Sequence, residues 1–165
     1  EMNLKTKKIN RLTNYEGIDT APSYSPDGNF ITFESDRSGS QKIYIMNLKT
    51  KNIKRISFGK GKYATPVWSP RGDLIAFTKL LAGEFYIGVM YTDGKGERVV
   101  YKSYLVEGPT WSPNGRVLSF YSQSRRSGGK ISPPKIKLID LTGVNLRELI
   151  TPSDASDPSW SGLLP

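Results

Sequence analysis

The sequence predicts an all-β fold, a β-propeller built of four-stranded antiparallel blades. Two observations carry this prediction. The chain of 165 residues contains internal repeats, and each repeat resolves into four short apolar runs separated by turn residues. Four strands in a repeat of roughly 40–50 residues are typical of a propeller blade.

The repeats are visible in two sequence strings. MNLKTKKINRLT at 2–13 recurs as MNLKTKNIKRIS at 46–57, with eight of twelve positions identical. A second string recurs as PSYSPDG, PVWSPRG, PTWSPNG and a truncated PSWSG, whose first residues are Pro22, Pro66, Pro109 and Pro158. These prolines are 44, 43 and 49 residues apart, which sets the length of one blade.

Each element of a blade has its own signature. The first strand ends in an aromatic residue, which is Tyr24, Trp68, Trp111 or Trp160. The string Ser-Pro-x-Gly follows and is predicted to be a tight turn, because Pro presets φ and Gly accepts a positive φ. The second strand is FITFES, LIAFTK or VLSFYS, in which apolar residues two apart share one face. The third and fourth runs complete the blade, and no segment has the periodicity of a helix.

The strand count predicts about three and three-quarter blades. Fifteen strands are expected, divided as follows: 1–19 outer strands of a blade, 20–63, 64–107 and 108–151 complete blades, and 152–165 a terminal innermost strand. Two arrangements are compatible with this order. The chain is either an arc of a larger ring or a closed ring whose two ends join into a three-stranded blade. The arc is favoured, because an innermost strand pairs with the second strand of its blade and not with the third.

Composition excludes several kinds of site. The chain has no histidine and no cysteine, which removes histidine-based triads, Cys- and His-ligated zinc sites, disulfides and thiol nucleophiles. No apolar stretch is long enough to cross a membrane, so no direct membrane insertion is expected. The glycine-rich strings lack the spacing of a phosphate-binding loop, and no cofactor or metal is predicted. The net charge of +9 is interpreted mainly as a solvated basic surface, so no nucleic-acid partner is expected.

The motif P-x-[WY]-S-P-x-G, the [IL]-x-F second strand and the I-Y-[IV]-M-[ND] third strand resemble the WD40-like propeller repeats of the TolB family. The ending TPSDASDPSWSGLLP is similar to the C-terminus of alphaproteobacterial members. The resemblance covers essentially the whole chain and implies a six-bladed ring, with the first blades and an α/β domain lying upstream. The chain departs from the family at Gly162, where Pro is usual, and in the longer loop 123–135.

The resemblance implies a non-enzymatic periplasmic scaffold of the Tol–Pal envelope system. Its partners would be the peptidoglycan-associated lipoprotein Pal and other Tol proteins, and its role would be to support outer-membrane integrity and cell division. The alternative is the gating propeller of a serine peptidase of the prolyl-oligopeptidase or tricorn kind, whose catalytic domain lies elsewhere. An open arc also predicts self-association through exposed blade edges.

The candidate partner-binding residues lie in the loops that lead into each first strand, near the mouth of the central channel. These loops mix acids with aromatic or hydroxyl side chains, a combination typical of protein-binding surfaces. The residues are Glu16, Asp19, Thr20, Tyr63, Thr65, Tyr104, Glu107 and Asp157. The recurrent aromatics of the repeat are instead assigned to blade packing. The loop 123–135, with Arg125, Arg126, Lys130 and Lys135, is interpreted as a basic hairpin extension that is either solvated or bound to an anionic partner.

Overall fold

The computed structural model describes residues 1–161, in which twelve strands form three antiparallel sheets of four strands each. The first blade contains β1 (Asp19–Tyr24), β2 (Phe30–Ser35), β3 (Lys42–Asn47) and β4 (Ile53–Arg55). The second contains β5 (Lys62–Trp68), β6 (Leu74–Leu81), β7 (Glu84–Tyr91) and β8 (Arg98–Ser103). The third contains β9 (Leu105–Trp111), β10 (Val117–Gln123), β11 (Lys135–Asp140) and β12 (Arg147–Glu148). The predicted all-β fold of four-stranded blades is confirmed.

The strands of each blade are joined in chain order, and the first strands lie side by side. β1 contacts β5, and β5 contacts β9, so these three strands form the inner edge of the arc. The turn Ser-Pro-x-Gly closes the same way in all three blades, because the glycine amide donates to the serine carbonyl at 2.8–2.9 Å. Gly28 shows why glycine is required there, since its φ is +70°.

The residue before each repeat proline has a positive φ, and in the three described blades a bulge interrupts the innermost strand there. Ala21, Thr65, Gly108 and Asp157 occupy this position and have φ values of 49°, 45°, 64° and 50°. The ladders between first and second strands shift register at the bulges of β1, β5 and β9. Three of the four residues are not glycine, so each holds a backbone conformation that L-residues rarely adopt. The bulge turns the Thr65 amide toward the side chain of Glu34 in the neighbouring blade, at 3.3 Å.

Apolar packing between blades forms the core. The second and third strands of one blade present alternate residues to the next blade, where the tryptophan of the first strand packs on them. Trp68 stacks on Phe30 with 6.2 Å between ring centroids. Trp111 is 6% exposed, and its indole Nε1 donates to the carbonyl of Val67 at 3.0 Å. The assignment of the repeat aromatics to blade packing is confirmed for Trp68 and Trp111 and is wrong for Tyr24 and Trp160, which are 47% and 38% exposed.

The two ends of the chain differ from the sequence prediction. The outer strands expected within 1–19 are reduced to a single β-bridge between Met2 and Ile9. The innermost strand expected within 152–165 is not formed in its described part, 152–161, and residues 162–165 lie outside the described residues. An isolated pair of strands is marginal without further partners, and no described strand pairs with 152–161. The described residues therefore form twelve strands where the sequence predicts fifteen.

Candidate functional site

One face of the blades carries the loops that lead into the first strands and the loops between second and third strands. We call it the loop face, and its segments are 14–18, 36–41, 56–61, 82–83, 104, 124–134 and 149–157. Contacts tie neighbouring loops together across the blades. Lys42 at the start of β3 donates from Nζ to the carbonyls of Gly59 and Gly61, at 2.9 and 2.6 Å. The opposite face carries the tight turns.

Three carboxylates are linked electrostatically beside the inner edge, because the charge of Glu107 acts on Glu34 and the charges of Glu107 and Asp157 act on Tyr121; we call Glu34, Glu107 and Asp157 the acidic rim. Glu34 is 5% exposed and accepts hydrogen bonds from Gln41 at 2.8 Å and from the Thr65 amide. Glu107 accepts a bond from the hydroxyl of Tyr121 at 3.1 Å. The rim thus contains two of the sequence-predicted residues, Glu107 and Asp157, and a third, Thr65, donates its backbone amide to Glu34.

The three carboxylates of the rim differ in burial, since Glu34 is buried, Glu107 is half-buried and Asp157 is exposed. Burial raises the pKa of Glu34, and the charge of Glu107 raises it further. Burial, the charge of Glu107 with its hydrogen bond, and the charge of Asp157 together raise the pKa of Tyr121 to about 12. The electrostatics of the rim favour a partner that supplies positive charge or hydrogen-bond donors.

Tyr121 reports on the rim through its ionisation. We expect the Glu107→Gln substitution to lower the pKa of Tyr121, because it removes the nearest negative charge. The folded-state pKa exceeds the ordinary value of 10.0, so the stability linked to this proton is present below pH 10 and is lost as the pH rises toward 12. The measurement is tyrosinate absorbance against pH. The titration curve of the Tyr121→Phe variant is subtracted, because the chain has nine tyrosines. Glu148→Gln, on the outer edge, is the control, and an equal shift there would contradict the assignment.

Asp19 is held by an ion pair inside the first blade. Both oxygens of Asp19 accept from the Arg37 guanidinium, at 2.8 and 3.0 Å. Arg37 also lies over the rings of Tyr15, Phe33 and Tyr44 at 5.1–5.2 Å. Burial alone would raise the pKa of Asp19, but hydrogen bonds from neighbouring groups, including Arg37, outweigh it and lower the pKa. Asp19 therefore anchors β1 to the loop that follows β2.

The Arg37→Lys substitution tests this anchor. We expect it to lower the free energy of unfolding by about 1–2 kcal/mol, because lysine keeps the charge but loses the second donor, Nε, which bonds to Ser35, and the flat guanidinium that lies over three rings. Urea unfolding followed by circular dichroism measures it. Arg71→Lys is the matched control, since Arg71 and Asp73 are about half exposed and 3.6 Å apart, and its effect should stay within about 0.5 kcal/mol. Equal effects at both positions would contradict the anchor.

Tyr63 lies in β5 and not in a surface loop, so its placement among the partner-binding loop residues is wrong. Its side chain is wholly buried between the first two blades, and its hydroxyl donates to Glu97 at 2.8 Å. The ammonium groups of Lys42 and Lys79 lie 4.9 and 4.7 Å from the ring centroid. Lys79 also pairs with Glu97 at 2.6 Å. Tyr63 belongs to a buried network that joins two blades, because β5 begins at residue 62 and points this side chain inward.

The remaining predicted residues stay on the loop face but apart from the rim. Glu16 and Thr20 are exposed, and Tyr104 is half-buried beneath the Arg125 guanidinium at 4.7 Å. Sequence reasoning missed Glu34, Tyr121 and Arg37, which follow the second strands or end them. A signal existed for the first two: with Thr78 they occupy one repeat position, directly after the common phenylalanine.

Two classes of feature are missing from the described part of the chain. Residues 1–161 contain no group of three or more acidic side chains placed to hold a metal ion. Their only helix is the 3₁₀ turn Ser127–Gly129, and it is far too short to cross a membrane.

Comparison with known proteins gives a consistent result. The pattern of the family described as TolB beta propeller domain matches residues 1–164. The Tol-Pal system protein TolB of Zymomonas mobilis is 62% identical over 85 residues, which are 52% of this chain and 18% of that protein. The chain matches only a minor part of such relatives, 16–21% of the length of four of them.

Solved structures agree on the fold. The crystal structure of TolB from Acinetobacter baumannii is 25% identical and superposes with a TM-score of 0.77, covering 94% of this chain and 38% of that one. The tricorn protease also superposes, with a TM-score of 0.61 at 18% identity over 85% of this chain and 15% of that one. The second likeness shows the fold alone.

Proposed function

Because the chain belongs to the TolB beta-propeller family, we propose that it is a non-enzymatic docking scaffold of the Tol–Pal system that binds Pal through its loop face. The observation that supports this most directly is the acidic rim, in which buried Glu34 accepts from the Thr65 amide, Glu107 accepts from Tyr121, and the charge of Asp157 also acts on Tyr121. Strands β2 and β9 hold Glu34 and Glu107 in place, whereas Asp157 lies in a segment that forms no strand. Binding then requires little ordering of the scaffold, which is the general advantage of a preorganised surface.

The proposal extends to the whole protein. The family and the length of its relatives support further blades upstream of residue 1, a six-bladed ring and a periplasmic location. Within this chain, the sequence assigns the complete blades to 20–63, 64–107 and 108–151, whereas their first strands begin one to three residues earlier, at Asp19, Lys62 and Leu105. The wider role is support of outer-membrane integrity and cell division, together with other Tol proteins. Self-association of the isolated chain through its end blades stays a prediction.

The peptidase alternative has less support. The tricorn protease superposes at only 18% identity, a likeness that shows the fold alone. A peptidase propeller would serve a catalytic domain elsewhere, whereas the relatives with high identity are Tol–Pal proteins. We therefore develop only the docking function.

Calorimetric titration of the 165-residue chain with the soluble domain of Pal tests the proposal. We expect binding, and we expect the double variant Glu107→Gln with Asp157→Asn to weaken it about tenfold, since two rim charges are lost. The matched control is Glu148→Gln with Asp93→Asn, which removes the same charge from exposed positions away from the rim. No binding by the parent chain, or equal weakening by both double variants, would overturn the proposal.

A further inference from the structure

The loop between β10 and β11 forms an ordered projection on the loop face, and we call residues 124–132 the basic arm. Its two sides are joined by the bridge between Arg125 and Ile131 and by the bond from the Ser132 amide to the Ser124 carbonyl at 2.8 Å. A second bond, from the Arg126 amide to the Lys130 carbonyl at 2.7 Å, closes the tip. The corresponding loop of the second blade consists of only residues 82–83. The arm is therefore an addition to the blade and is not needed to connect its strands.

The arm carries uncompensated positive charge. Arg125, Arg126 and Lys130 are all exposed, and residues 123–135 contain no acidic residue. Among residues 1–161, none of these three cations forms an ion pair. By contrast, Arg37 in the equivalent loop of the first blade forms an ion pair with Asp19, both oxygens of which accept from Arg37 Nη2. The donors of the arm are free for an external acceptor.

The side chain of one of these cations, Arg125, is restrained by an aromatic ring. The Arg125 guanidinium lies over the Tyr104 ring at 4.7 Å from its centroid. A stack of this kind restrains the guanidinium plane and leaves its N–H edge open. Beside it is a cleft of about 250 Å³, lined by Gly83, Glu84, Ser103, Tyr104, Ser124 and Arg125. The one acid of this cleft, Glu84, lies 3.6 Å from Lys102, which offsets its charge.

We propose that the basic arm and Tyr104 bind an acidic segment of a partner protein, with a carboxylate of that segment paired to Arg125. Planar guanidinium groups bind carboxylates through two parallel hydrogen bonds, and the Tyr104 stack preorganises Arg125 for this contact. Arg126 and Lys130 at the tip favour further acids along the same segment. The inference rests on the proposed docking function of the loop face and adds the chemistry of the partner.

Other anionic partners fit the arm less well. Binding of single-stranded nucleic acid uses a series of aromatic platforms along a basic groove, whereas the cleft has one ring, Tyr104. Anionic membranes are bound by clusters of about four to eight Lys or Arg residues. The arm has three cations, and Ile131 is its one large apolar side chain, 48% exposed. A single restrained guanidinium beside a small cleft suits one carboxylate.

Fluorescence anisotropy of the 165-residue chain with a labelled Glu- and Gly-containing peptide tests the inference. We expect the triple variant Arg125→Gln, Arg126→Gln, Lys130→Gln to weaken binding about tenfold or more. The matched control changes Lys49, Lys51 and Lys54 to Gln, which removes the same charge from exposed positions on the first blade. Arg125→Lys separates geometry from charge, and we expect it to weaken binding although the net charge is unchanged.

Several results would overturn the inference. One is equal weakening of peptide binding by the two triple variants, and another is full peptide binding by Arg125→Lys. A third is that phosphatidylglycerol vesicles or an oligonucleotide bind through the arm at least as tightly as the peptide does. The arm variants are also titrated with Pal. If Pal binds the parent chain and the peptide does not, the arm inference fails and the docking function stands. If the peptide binds through the arm and Pal does not bind, the docking function fails and the arm inference stands.

Discussion

Replacement of Trp111 by Ala is expected to lower the free energy of unfolding by about 3–5 kcal/mol. Trp111 is 6% exposed and packs among buried residues that include Leu74 and Val89 of the second blade. Its indole Nε1 also donates to the Val67 carbonyl at 3.0 Å, so the substitution opens a cavity and removes a bond between blades. Urea unfolding of the chain, followed by tryptophan fluorescence and circular dichroism, measures the change.

Trp160 provides the matched control, because it occupies the same repeat position. It lies near Val117 and Leu138 on the third blade, but it is 38% exposed and β9–β12 form the last described blade. We expect Trp160→Ala to cost about 1 kcal/mol or less. A large loss at Trp160, or a loss at Trp111 below about 1 kcal/mol, would contradict the view that this aromatic stabilises the fold only where a neighbouring blade encloses it.

The strands were predictable because each blade repeats the same local signals. Apolar alternation in the second strands and the Ser-Pro-x-Gly turn specify a hairpin without reference to distant residues. The segments 2–13 and 158–161 carry the same signals, yet they form at most a single bridge. Strand formation also depends on partner strands, and a repeat pattern alone does not reveal whether those partners are present.

The candidate site was only partly predictable, because loop position does not determine side-chain direction. Tyr63 and Tyr104 both lie just before or at the start of a first strand, yet Tyr63 is wholly buried and Tyr104 is half-buried. The difference arises from Glu97, in the turn between β7 and β8, which accepts from the Tyr63 hydroxyl, and from Lys79 in β6, which pairs with Glu97. Contacts of this kind join residues far apart in the sequence. The acidic rim was unpredictable for the same reason, since Glu34 of the first blade accepts a hydrogen bond from Thr65 of the second.

The second large effect is expected at Gly94, in the turn between β7 and β8. Its φ is +89°, and a Cβ built there would overlap the carbonyl of Ile56 in the first blade. We expect Gly94→Ala to lower the free energy of unfolding by about 2–5 kcal/mol, from backbone strain together with overpacking between the blades. Chemical denaturation of the 165-residue chain gives the value.

Gly28→Ala separates these two causes. Gly28 has a φ of +70°, but a Cβ there meets nothing within 4 Å, so only the backbone strain of about 1–2 kcal/mol applies. The excess loss at Gly94 then measures how closely the first two blades are packed. That packing holds Lys42, Tyr63 and Glu97 in place beneath the loop face, so loosening it should also weaken binding of Pal. Equal losses at both glycines would mean that the turn at Gly94 moves away from Ile56 at little energetic cost, and that the blades are not rigidly joined there.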